Sequence, residues 1–293
     1  MKLIKVIGLI ALGAVIAMAV VFLIPDRRSS QAQANVAVAA PDRQDADVPT
    51  DVVEDEGAVD VAIDPSATTI AIPHRYRFGD IDRVEVAENT DQLLGRYHGE
   101  ELEYLIGYYH GFTPVGSGFD VLDFHNREQM RWLVENGYPM PEEVLEARRV
   151  GKDELLALSR QGNTKAQMFY VDLTAATLGN PSREDGVGPE QMLAGSEWIQ
   201  TVDKVVASGS PFAGYVAAKA KKESGKRYGV AAAYRLAQTL GDSRAQAAVD
   251  LVSAEGADAN VELAQFHGML MTLSQGTDLN RVFRSGDPGF PAR

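Results

Sequence analysis

The chain contains no cysteine. That absence excludes disulfides, thiolate zinc sites and cysteine nucleophiles together, and it is compatible with the bacterial periplasm. Basic residues are scarce as well: 28 Lys and Arg stand against 41 Asp and Glu, for a net charge of −13. Nucleic acid needs a clustered basic surface, so it is not an expected partner. Catalytic signatures are missing too. There is no G-x-S-x-G elbow. Gly151-Lys152 follows Arg148-Arg149-Val150 without the earlier glycine that a phosphate loop requires. Of the five histidines, His98 shares a helical face with Glu101, but His110 lies twelve residues further along, ~18 Å at helical rise. No H-E-x-x-H spacing occurs. The expectation is a protein without a catalytic set, a metal or a cofactor, and therefore not an enzyme.

Long apolar runs are absent except for one. Val6–Ile24 carries no charge, follows Lys2 and Lys5, and is closed by Pro25, Arg27 and Arg28. A helix needs about twenty such residues to cross a bilayer core, whereas the apolar region of a cleaved signal is shorter, roughly 7–15 residues. Residues 1–25 therefore read as an uncleaved single-pass anchor. The alternative is a signal cut near Ala32-Gln33-Ala34. The short N-terminal tail puts the body outside the cytoplasm, which predicts a bacterial inner-membrane protein with a periplasmic C-terminal part. In residues 26–67 aromatics vanish and, beyond Arg27 and Arg28, Asp42, Asp45, Asp47, Asp51, Glu54, Asp55 and Glu56 face a single Arg43. Such a segment does not bury enough apolar area to offset chain entropy and reads as a disordered acidic linker. An acidic docking peptide is the other reading.

Residues 68–155 form a helical N-terminal part with short strand-like pieces, Ile70-Ala71-Ile72 and Val84-Glu85-Val86. Leu94, Tyr97, Tyr104, Leu105 and Tyr108 recur at helical spacing over 91–111. A second helix is expected over 119–137 and a third from Pro141, with a break near Val150 and a short successor over 153–161. Over 189–208, Met192, Ile199, Val202 and Val206 would keep one face.

From residue 156 to 275 one phrase returns three times: LSRQGNTKA at Leu158–Ala166, VVASGSPFA at Val205–Ala213 and AQTLGDSRA at Ala237–Ala245. Gly162, Gly209 and Gly241 would end one helix in a left-handed turn. Asn163, Ser210 and Asp242 would cap the next. Ala166, Ala213 and Ala245 would let two helices cross closely. These junctions resemble the Sel1-like branch of the tetratricopeptide solenoids, over about residues 156–260, although the glycines are spaced 47 and then 32 residues apart. The resemblance implies a mainly α chain in which antiparallel helix pairs build a short α-solenoid, followed by an irregular tail over 276–293.

In that family the first helix of each pair lines a concave groove, which would place Asp172, Tyr215, Lys219 and Lys222 on its wall. Lys219, Lys221, Lys222, Lys226 and Arg227 are a local basic cluster in an acidic chain. A tyrosine flanked by lysines suits a protein partner with an acidic peptide or surface. The expected function is thus a membrane-anchored envelope scaffold or adaptor for protein–protein interaction. The alternative is an envelope enzyme or polymer-binding protein with its site in residues 91–111, around Tyr97, His98, Glu101 and Tyr104.

Overall fold

The computed structural model describes residues 68–178, 189–226, 228–276 and 288–290, all within a unit spanning Ala62–Arg293. The apolar run 6–24, the acidic linker, the loop 179–188, the side chain of Met192 and most of the tail lie outside the described residues. The described part is mainly α. Strands β1 (Thr69–Ala71) and β2 (Arg83–Glu85) pair antiparallel, with Ile70 opposite Val84. Ten helices follow: α1 Thr90–Leu94, α2 Gly99–His110, α3 Arg127–Glu135, α4 Pro141–Arg160, α5 Thr164–Leu178, α6 Pro189–Ala207, α7 Pro211–Glu223, α8 Val230–Thr239, α9 Ala245–Ala254 and α10 Ala259–Gly276. Among the described residues no helix is long and apolar enough to cross a membrane.

Two expected helices come out differently. Residues 91–111 divide into α1 and α2, because the chain leaves the helix at Gly95 and restarts at Gly99, whose φ of +57° suits glycine. Residues 119–125 are not helical. Their carbonyls are taken by side chains instead: Thr90 Oγ1 donates to Leu122 O and Phe124 O at 3.1 and 3.3 Å, while Arg244 donates to Asp123 O and Val121 O at 2.6 and 3.3 Å. Leu122, which with Met130, Leu133 and Val134 suggested a helix, is buried from this loop together with Val121 and Phe124. Asn126 then caps α3 by accepting the Gln129 N–H at 2.9 Å. Helix α4 is interrupted at Gly151 (φ 76°, ψ 176°), where the expected break falls. On α6, Ile199 points outward and Trp198 inward, because the Trp198 indole N–H donates to Val171 O at 3.2 Å and sets the rotation of the helix.

The three glycine junctions take the local geometry expected of them. All three glycines have positive φ, and Asn163 N–H and Asp242 N–H bond back to Leu158 O and Ala237 O, closing the preceding helices in Schellman fashion. Asn163 accepts from Ala166 N, Ser210 from Phe212 N and Asp242 from Arg244 N. Ala166, Ala213 and Ala245 are fully buried. Each cap residue also reaches a distant N-terminal segment. Asn163 Nδ2 donates to Arg77 O, Ser210 Oγ donates to Asn136 O, and Asp242 accepts from the Tyr138 hydroxyl.

Helix α7 is the centre of the packing. It contacts α5, α6 and α8, and Ala213, Gly214, Ala217, Ala218 and Ala220 keep it thin enough to do so. A Cβ at Gly214 would lie 2.5 Å from Ala233 O and 2.7 Å from Ala237 N, both backbone atoms of α8. Gly214→Ala therefore forces α7 and α8 apart, at a cost of about 1–3 kcal/mol from overpacking. A lowered urea midpoint checks this; an unchanged midpoint would refute the close contact. Helix α10 packs on α8 and also returns to α6, where Gly276 meets Ala207. An array that joins only adjacent units does not make that second contact.

Candidate functional site

A crevice of about 660 Å³ opens between the C-terminal ends of α7 and α9, backed by α8 and bordered by the loop after α2. Val230, Tyr234 and Val252 supply apolar surface. Lys222 and Lys226 stand on one side, Glu255 on the other, and Pro114-Val115 at the edge. The Tyr234 hydroxyl donates to Phe112 O at 3.0 Å, which fixes the loop against α8. Gly225, with φ 72°, turns the chain after α7, and Lys226 N–H closes that turn on Lys221 O at 2.9 Å. The two lysines thereby sit at the negative pole of α7, where cations are favoured. Val115 is 86% exposed, an isolated large apolar side chain held out at the crevice edge. This is an apolar slot with cations on one rim. It can take an apolar side chain and hold carboxylates beside it.

The four residues placed on a groove wall by sequence separate in the structure. Lys222 is exposed and lines the crevice. Tyr215 is 0% exposed, in the core, and its hydroxyl donates to Asp242 Oδ2 at 3.0 Å. Burial, reinforced by the Asp242 charge, pushes this phenol well above its ordinary pKa. Asp172 on α5 and Lys219 on α7 neutralise each other at 2.5 Å. Burial raises the Asp172 carboxyl, and Lys219 only partly offsets it. The Lys219 ammonium also lies 4.5 Å from the Phe112 ring centre and 5.9 Å from that of Tyr108. The pair therefore abuts the aromatic stripe of α2, on which Tyr108 and Tyr109 are buried and Tyr104 is covered by Arg148 at 4.4 Å. His98 and Glu101 are exposed at the start of α2, and His110 Nδ1 is 2.9 Å from Asp120 Oδ1. Among the described residues no three His, Asp or Glu side chains are arranged to hold a metal ion.

Sequence reasoning missed the polar network inside the core. Asp242, at the third junction, holds Arg244 by two contacts, Nε–Oδ1 at 2.9 Å and Nη2–Oδ2 at 2.8 Å, and its Oδ2 also accepts the hydroxyls of Tyr138 at 2.5 Å and Tyr215. Burial pushes the Asp242 carboxyl upward, but Arg244 and the two hydroxyls outweigh it and hold the group below its ordinary value. From the same Tyr138, the backbone carbonyl accepts from Lys165 Nζ at 2.9 Å, and Lys165 pairs with Glu143 at 2.6 Å. Glu143 in turn accepts the Met140 N–H at 2.8 Å and caps α4. Tyr138 thus joins two buried ion pairs, one through its hydroxyl and one through its backbone. Phe290 closes the far side of the network. Its ring lies 4.0 Å from the Arg244 guanidinium carbon and 5.5 Å from the Trp132 ring, and Gln129 donates to Gly289 O at 3.2 Å. One local signal was available, an arginine two residues after the junction aspartate, at a position flanked by small residues.

No protein-family model, curated protein or solved structure matches this chain. A functional assignment rests on the geometry just described. Within it, the buried network ties Asp242, Arg244 and Tyr138 to Lys165 and Glu143, and the crevice leaves Lys222 and Val115 exposed at its edge.

Proposed function

We propose that this protein is a partner-binding helical module, and that the crevice between α7 and α9 receives an acidic, partly apolar segment of another protein. The observation that carries the reading is the 660 Å³ slot with Val115 exposed at its edge and Lys222 and Lys226 on its rim. An apolar anchor flanked by carboxylates would fill the slot and meet the lysines, the lysines serving selectivity and encounter rate more than raw affinity. In this reading the apolar run 6–24 tethers the module to a bacterial inner membrane, the acidic linker spaces it from the bilayer, and the body works in the periplasm. The helical-repeat interpretation, of the Sel1-like kind, draws on the three junction phrases; the return of α10 to α6 lies outside a simple nearest-neighbour array.

The test is photo-crosslinking in cells with probes at Val115 and Lys222 and a control at Glu103, which is exposed on α2. Tyr215, being buried, is unsuitable as a probe position. A discrete adduct from the crevice positions alone is expected. With the probe at Val115, charge reversal of both Lys222 and Lys226 should reduce the yield about tenfold while the thermal midpoint of the protein stays unchanged. An equal adduct from Glu103, or a yield indifferent to the reversal, would overturn the assignment.

A further inference from the structure

A second and smaller pocket, of about 190 Å³, lies between the loop before α3 and the outer side of α9, with Phe290 from the tail as part of its wall. It does not share residues with the α7–α9 crevice. Phe119, Phe290 and Ala247 give it apolar walls, and Arg244, Asp123 and Asp250 give it charge. Its volume is below the ~300 Å³ at which small-molecule sites begin, so it suits a group the size of one side chain.

The charges decide what kind of group. Arg244 brings no spare cation to the pocket. Its guanidinium is doubly engaged by Asp242 and also donates to Asp123 O and Val121 O. The carboxylates are in the opposite position. Asp123 Oδ2 accepts the Asp120 N–H at 2.8 Å, and Asp250 Oδ1 accepts from Gln246 Nε2 at 2.6 Å. Neither carboxylate has a cationic partner among the described residues. The pocket therefore joins two carboxylates that lack an ion-pair partner to the apolar walls of Phe119 and Phe290, a combination that suits an organic cation through charge-assisted hydrogen bonds and contact with its methylenes. An anion would meet repulsion there, and a purely apolar group would leave the carboxylates without a counter-charge.

We propose that this pocket binds a primary alkylammonium group, whether in a free amine or at the end of a lysine side chain, with Asp123 and Asp250 meeting the nitrogen and Phe119 and Phe290 covering the methylenes. The packing of Trp132 against Phe290 supplies an intrinsic reporter. In full-length protein carrying Trp198→Phe, Trp132 is the remaining tryptophan, and its emission reads the pocket wall.

The probes are n-pentylammonium, Nα-acetyl-lysine methylamide and, as an uncharged analogue, 1-pentanol. A saturable change in Trp132 emission with both ammonium probes is expected, and none with pentanol. Asp250→Asn, an exposed position where folding is not at risk, should weaken binding about tenfold or more, and Asp123→Asn should act in the same direction. Glu103→Gln, an equal loss of charge elsewhere, should leave binding unchanged. Tighter binding of the lysine derivative assigns the group to a peptide, and tighter binding of pentylammonium assigns it to a free amine. The proposal is overturned if neither ammonium saturates the signal, if pentanol does so equally, or if Asp250→Asn and Glu103→Gln behave alike.

Discussion

Asp242→Asn is expected to cost about 3–5 kcal/mol at neutral pH, the usual consequence of leaving a buried charge without its partner. Asparagine can still accept the Arg244 N–H in the turn that leads into α9, so the substitution isolates the charge. What it removes is the counter-ion of Arg244 and the shared acceptor of the Tyr138 and Tyr215 hydroxyls. Because the folded carboxyl is held below its ordinary 3.8, its contribution is present in full at pH above that value. It is lost as pH falls below 3.8 through the lower folded value. The gap between parent and variant should thus stay flat from neutral pH down to about 5 and close only in stronger acid. Urea midpoints across that range measure it. Adding Arg244→Met to Asp242→Asn should recover part of the loss, since the stranded guanidinium is then gone. A single-variant cost under about 1 kcal/mol, the scale of a surface pair, would show that the network contributes no more than an exposed ion pair.

Lys165→Met is the second large effect; its deficit also narrows in acid, but at higher pH and because the variant recovers. Lys165 is 1% exposed and its partner Glu143 is fully buried. Burial raises the Glu143 carboxyl and lowers the Lys165 ammonium, each opposed by the attraction between them. Removing the lysine deletes the main influence that keeps Glu143 ionised, so its folded pKa rises further above the ordinary 4.5. A carboxyl raised in the folded state favours folding below its unfolded pKa and loses that contribution as pH rises through the folded value. The deficit, about 3–5 kcal/mol at neutral pH, should therefore shrink as pH falls toward 4.5, by recovery of the variant. Glu143→Gln in the same chain keeps an acceptor for the Met140 N–H and removes the stranded charge, and should restore most of the stability. Midpoints at pH 5, 7 and 9 distinguish the two networks. A deficit independent of pH would mean that Lys165 acts through packing alone.

What the sequence disclosed about this fold was local. Gly162, Gly209 and Gly241, with their caps and alanines, follow rules that span fewer than ten residues, and the break at Gly151 is of the same kind. The rotation of α7 was not local. A helix buried nearly all round has no polar stripe to set its phase, so Tyr215 could be drawn facing a groove although it faces Asp242. Loop 119–125 was misread because its apolar residues satisfy a helical spacing, while the side chains that claim its carbonyls, Thr90 and Arg244, lie about 30 and 120 residues away. Of the partner-binding set, Lys222 lies on the crevice chosen from the structure. Asp172 and Lys219 neutralise each other, a pairing between helices that spacing along one chain does not reveal.

The fastening of all three junction caps to the N-terminal segment changes how the chain acquires its structure. Helical arrays ordinarily assemble from neighbours, quickly, and can begin at any unit. Here Asn163 reaches back 86 residues, Ser210 74 and Asp242 104. Each such closure costs entropy before any contact rewards it, so formation should be slow for a helical protein and the joints should form late. On a ribosome, the segment around Tyr138 must wait for Asp242 to emerge before its hydroxyl finds an acceptor. The same ties oppose fraying from the C-terminal helices, each junction of which is held by a residue more than seventy positions earlier in the chain.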